Sequence, residues 1–154
     1  MISDKLIPKL EETFPGRRLV VNNQPNPCAV FPAAHPEVGA IEIHDDGDEI
    51  TLLAGKFTHG HFANYDENLS VEEKHKQIVE DVISFLRDLF ADQVILWGSH
   101  SGGGGWSYKN TEPLSTKAVE LSPSKVDKLY VWSGPVDNGG LTSGSTRPVE
   151  RGTV

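Results

Sequence analysis

With a single cysteine, Cys28, in 154 residues, the chain can form no intramolecular disulfide, so its fold must be held by a core. Long apolar runs are missing as well. The longest are four residues, at 28–31, 94–97 and 129–132, against the ~20 that a membrane-spanning helix needs. The first thirty residues carry Asp4, Lys5, Lys9, Glu11 and Glu12 without a continuous apolar segment, so no secretory signal is expected and a cytoplasmic location is the default. Positive charge is scarce: 14 Lys and Arg stand against 22 Asp and Glu, a formal net charge of −8. Arg17 and Arg18 are the only adjacent basic pair, and without a basic stripe the chain repels phosphate backbones, which argues against nucleic-acid binding. An acidic balance suits solubility and a basic protein partner alike.

What is present is ordinary for a soluble domain. Hydrophobic residues make up 37% and charged residues 23%, and this length is that of one domain, able to bury roughly 68 to 70% of the surface its unfolded form exposes. Leu6, Leu10 and Phe14 recur at helical spacing, but Pro8 falls inside the pattern, so any helix here is expected to be short or to begin at the proline. Residues 19–21 and 28–31 read as two short strands around an Asn/Gln/Pro loop, able to pair as a hairpin. Cys28 lies in the second of these and reads as a small buried hydrophobe rather than a nucleophile.

Residues 38–57 read as a long antiparallel hairpin. Ile41 and Ile43 alternate with polar neighbours, Asp45, Asp46, Gly47 and Asp48 supply turn chemistry, and Ile50, Leu52 and Ala54 resume the alternation. The acidic turn is not a calcium loop, because Leu53 stands where the distal carboxylate ligand belongs. Ser70 followed by Glu73 forms a capping box that opens a helix over 71–90, with Val71, Ile78, Val82, Phe85, Leu86 and Leu89 on one face. The run 94–97 has the length and continuity of a central strand covered on both faces. Glycines 102–105 follow that strand without the Lys-Ser/Thr of a phosphate loop, and in 98–102 His100 occupies the place of the serine in a hydrolase elbow. Residues 129–132 form a last strand. Residues 133–154 hold five Gly, two Pro and only four aliphatic side chains, too little apolar area to offset ordering entropy, and read as a tail behind a 1–132 domain.

The expected fold is therefore α+β: a single domain with a mixed, mostly antiparallel sheet and one long helix, 71–90, packed across it. A four-residue loop at Asp45 to Asp48 would pair His44 with Glu49, leaving His59 and His61 beyond the strand end, near His35 and Glu37. A helix of this length spans roughly 30 Å and would return the next strand parallel to the hairpin, one βαβ crossover that carries His100 to the same rim. His44 would lie about 30 Å from His35, outside any shared site. His59, His61, His35, Glu37 and His100 are thus candidate ligands for zinc or a similar transition metal.

Two functions follow. In the first, the protein is non-enzymatic and binds a protein partner, with Trp106, Tyr108 and Trp132 as candidate contacts. In the second, it is a metal-dependent hydrolase using the histidine rim.

Overall fold

A computed structural model describes residues 1–98, 104–109 and 128–136. The class is α+β with one long helix, and the strands form two antiparallel sheets. The described residues divide into two compact units: Met1–Ala33, Gly39–Gly55 and His59–Asp88 make the first, and Ala34–Val38, Lys56–Thr58 and the described residues from Leu89 to Val136 make the second.

The first unit opens with helix α1 (Ser3–Thr13), which passes through Pro8 instead of starting there. An interior proline typically costs a helix ~3 kcal/mol. Two tertiary interactions offset it. Ile2, Leu6 and Leu10 are fully buried, and the helix start, which lacks a side-chain cap of its own, is capped from elsewhere by Asp45, whose Oδ2 accepts the Ser3 N–H at 2.7 Å. Strands β1 (Val20–Val21), β2 (Ala29–Phe31), β3 (Ile41–Asp45), β4 (Glu49–Ala54) and β5 (Thr58–Ala63) follow, in that order across the sheet. β1 and β2 pair as the expected hairpin, Val20 opposite Val30.

The β3–β4 hairpin forms in a different register from the one the acidic turn suggests. Asp45 pairs with Ile50 and His44 with Thr51, and the Asp46 N–H donates to the Glu49 carbonyl, leaving a two-residue loop at Gly47 and Asp48. Gly47 takes φ +97°, which suits the first position of a type II′ turn. Asp45 does not belong to the turn's exposed face: its side chain is buried inward with Ile41 and Ile43. Because the register moves by two residues, every side chain keeps its face.

Helix α2 (Val71–Phe90) occupies the predicted span. Its capping box is formed, with the Ser70 N–H donating to Glu73 Oε1 at 2.9 Å and the Glu73 N–H to Ser70 Oγ at 3.1 Å. The Ser70 amide and hydroxyl hold the Glu73 carboxyl below its usual range, so this contribution to stability is lost as pH falls through the carboxylate range. Ile78, Val82, Phe85, Leu86 and Leu89 are buried as expected, whereas Val71, at the outer end of the stripe, is 67% exposed. Phe85 meets Phe62 of β5 at 5.6 Å and Phe14 meets Phe31 of β2 at 6.1 Å, so the apolar side of the sheet is lined by both helical segments.

In the second unit, β6 (Val94–Gly98) is fully buried, as expected of a central strand. It lies between β7 (Gly104–Tyr108) and β8 (Lys128–Val131), and β8 pairs with β9 (Gly134–Val136). Both neighbours of β6 are antiparallel and the strand shares no sheet with the first hairpin, so the parallel βαβ crossover is not formed. The partners of β6 come from later in the chain, one of them from the glycine run that resembles a loop. Ile95, Trp97, Leu129 and Val131 make a small core, with Val136 packed against it. β9 carries regular structure through Val136, three residues past where the tail was expected to begin; residues 137–154 lie outside the described part.

Candidate functional site

The alternation that buries Ile41, Ile43, Ile50 and Leu52 on one side of the first sheet places Glu42, His44, Glu49 and Thr51 on the other. β5 adds His59 and His61 beside them. These histidines were expected beyond a strand end; instead they stand within a strand that runs back along β4. His61 Nδ1 lies 3.1 Å from Thr51 Oγ1 and 3.3 Å from Glu49 Oε1. Thr51 gives its single hydroxyl proton to Asp46 Oδ2 at 2.7 Å. The nitrogen beside it then faces two acceptors, Thr51 Oγ1 and Glu49 Oε1, and donates to them. The His59 and His61 rings meet edge to face with centroids 5.0 Å apart.

His44 was expected at the far end of the hairpin. It is the cross-strand partner of Thr51, which in turn touches His61, so it stands two strands from His61, about 10 Å away at sheet spacing. Its Nε2 pairs with Glu42 Oε1 at 3.1 Å. Glu42 lies two residues from His44 on the same strand, whereas Thr51 and Glu49 were missed as neighbours of His61 because they meet it only once β5 runs back along β4.

His35 and Glu37 belong to the second unit. The Glu37 N–H donates to His35 Nδ1 at 3.1 Å, and the Tyr130 hydroxyl donates to Glu37 Oε1 at 3.3 Å. Tyr130 stacks on Phe57 with centroids 4.6 Å apart. Gly134, at φ +146°, is packed so tightly on the His35 ring that an added Cβ would sit 3.0 Å from it. His100 lies outside the described residues. Among the described residues no three His, Cys, Asp or Glu side chains come together as a metal-holding group.

Of the aromatic candidates, Trp106 and Tyr108 lie half-buried on β7 in edge contact, centroids 5.4 Å apart. Trp132 is 4% exposed and packs on Phe90 at 5.3 Å, so it contributes to the core rather than to a contact surface.

A cavity of about 440 Å³ opens elsewhere in the first unit, between α1 and the β1–β2 loop, with Asp4, Ile7, Asn23, Pro25 and Cys28 in its lining. Burial, and secondarily the Asp45 carboxylate, push the Cys28 thiol up to about 11. At neutral pH it is a buried thiol rather than a thiolate, and no nucleophile. A disulfide reagent at pH 8 should therefore label Cys28 only as fast as the protein opens, and at once in denaturant; rapid labelling of the native state would show the thiol to be activated. The folded thiol holds its proton more tightly than the unfolded one, so stability should also decline as pH rises from about 9 towards 11.

Comparison with family models, with curated proteins and with solved structures finds no match to this chain.

Proposed function

We propose that the protein is a non-enzymatic binding protein whose acidic sheet face docks a basic protein surface. One observation carries this reading. Strands β3, β4 and β5 contain no Lys or Arg, and Lys56 is the only one anywhere between Arg18 and Lys74, while Glu42, Asp46, Asp48 and Glu49 all fall on the outer face and turn of the β3–β4 hairpin. The Glu42 and His61 side chains are about half exposed, at 48% and 54%. Clustered charge of one sign on a firm sheet steers a partner of opposite charge and sets its orientation. Thr51 is tied to both Asp46 and His61, so part of this face is already ordered before a partner arrives.

Affinity capture from the protein's own cell extract tests the reading. The wild-type chain should retain basic proteins whose binding weakens as salt rises. Retention should fall at least about tenfold, a change of ~1.4 kcal/mol, when Glu42→Lys and Asp48→Lys reverse the face. The matched reversal Glu80→Lys with Asp81→Lys, on the exposed side of α2, should leave it unchanged. Equal loss in both double variants would mean that only net charge matters, and an unchanged captured set in the first would remove this face as the docking surface.

A further inference from the structure

Strand β1 stands at one end of the first sheet and, among the described residues, pairs only with β2. The Asn22 N–H donates to the Cys28 carbonyl at 2.9 Å, so by the alternation of an antiparallel ladder the N–H and C=O of Val21, one residue earlier, point away from β2 towards the outer side. Edge strands are commonly blunted by a lysine or proline within them. β1 carries two valines instead, 39% and 44% exposed. Val21 pairs with the fully buried Ala29 and so belongs to the buried face of the sheet, where it lines the cavity of about 440 Å³ together with Ile7 and Pro8 of α1. A further strand laid along β1 would set every second side chain over that cavity. Charge marks the same edge: Arg17 and Arg18, the only adjacent basic pair in a chain of net charge −8, are both exposed and lead directly into β1.

We infer that the β1 edge binds an extended peptide segment of a partner protein by strand addition, antiparallel to β1, with an apolar side chain opposite Val21 entering the cavity and a carboxylate opposite Arg18. Main-chain hydrogen bonds to Val21 supply affinity, while the cavity and the arginine select the side chains. Opposite charges across a strand pair attract and like charges repel, so the segment is acidic and not basic. Arg18 lies three residues before Val21, so in an antiparallel partner the acidic residue comes three after the apolar one. This edge is the other end of the sheet from β5 and takes the opposite charge from the acidic face, so it is a second surface, independent of the docking reading.

The probe is a fluorescein-labelled hexapeptide, Thr-Leu-Val-Thr-Glu-Asp, whose leucine falls opposite Val21 and whose glutamate falls opposite Arg18. Fluorescence anisotropy against the whole chain should show saturable binding at one equivalent. A peptide with Ser in place of Leu, or with Gln-Asn in place of Glu-Asp, should bind at least about tenfold more weakly, and so should the original peptide to Arg18→Glu. Val21→Pro removes the outward amide and none that β2 uses, and should abolish binding. Thermal unfolding checks that this variant keeps its fold, and the altered peptides test the inference on the wild-type protein alone. On binding, amide hydrogen exchange should slow at Val21 but not at Asn22, whose N–H is already bonded. No saturable binding, or binding indifferent to both peptide changes, would overturn the inference and leave Arg17 and Arg18 as guards that keep the edge unpaired. A concentration-dependent dimer in analytical ultracentrifugation that Val21→Pro disperses, with no peptide bound, would overturn it in favour of a second copy of the chain.

Discussion

Phe85→Ala should lower the stability of the protein by roughly 3 to 5 kcal/mol, a large part of the 5 to 15 kcal/mol that holds a domain of this size together. Phe85 is 4% exposed, and its ring lies 5.6 Å from Phe62 on β5, so truncation opens a void between the long helix and the sheet. Leu86 and Val82, themselves fully buried, can collapse into that void only by leaving their own contacts. Urea unfolding monitored by circular dichroism should show a lower midpoint with an unchanged slope. Glu73→Ala supplies the comparison. It removes an exposed capping interaction at the start of the same helix and should shift the midpoint far less. If the two substitutions were equally mild, α2 would not be seated on the sheet through this face.

The long helix was readable because two independent signals coincide: twenty residues of helical periodicity and a capping box that marks where the period begins. The apolar side of β3 and β4 was readable from alternation alone. Register was not, since the turn offers four candidate residues, Asp45 to Asp48, and alternation is blind to a slip of two. Only the inward burial of Asp45 separates the two pairings, and a buried carboxylate has no signature in the sequence before its donors are known. That slip hid the pairing of His44 with Thr51, while the contact of Thr51 with His61 lies between β4 and β5 and was hidden with β5.

β5 was missed for a related reason. Thr58, Gly60 and Phe62 alternate with His59, Phe62 is the only large apolar side chain among them, and a strand with so little to bury reads as loop. β7 was hidden by its glycines, whose role is close packing: a Cβ on Gly104 would lie 2.4 Å from the Phe57 carbonyl oxygen and 2.5 Å from that of Trp97, and one on Gly105 would lie 2.6 Å from the Trp97 ring. With β7 unseen, β6 had no visible antiparallel partner on that side, and a parallel crossover was the remaining way to cover it. The candidate site was therefore legible as a set of histidines, of which His59 and His61 do stand together, but not as a place in the fold.

Asp45→Ala should destabilise the protein by about 3 kcal/mol or more, although Asp45 touches none of the candidate ligands. Its carboxylate is 1% exposed and accepts two backbone donors, the Ser3 N–H at 2.7 Å and the Gly47 N–H at 3.0 Å. A hydrogen bond to a charged group contributes roughly 1.5 to 3 kcal/mol, and alanine would remove both while leaving the Ser3 amide at the start of a helix that already contains a proline. Asp45→Asn keeps the shape but turns one acceptor into a donor facing an N–H, so it too should destabilise, by less than alanine. Asp46→Asn, one residue on and exposed, should change little. Calorimetric melting ranks the four proteins. A second readout separates the loss of charge from the loss of fold: the Asp45 carboxylate helps to hold the Cys28 thiol high, so in folded Asp45→Asn the thiol should titrate below about 11. A wild-type melting temperature in Asp45→Ala would mean that α1 needs no anchor from β3, and an unmoved thiol in Asp45→Asn would mean that burial alone sets it.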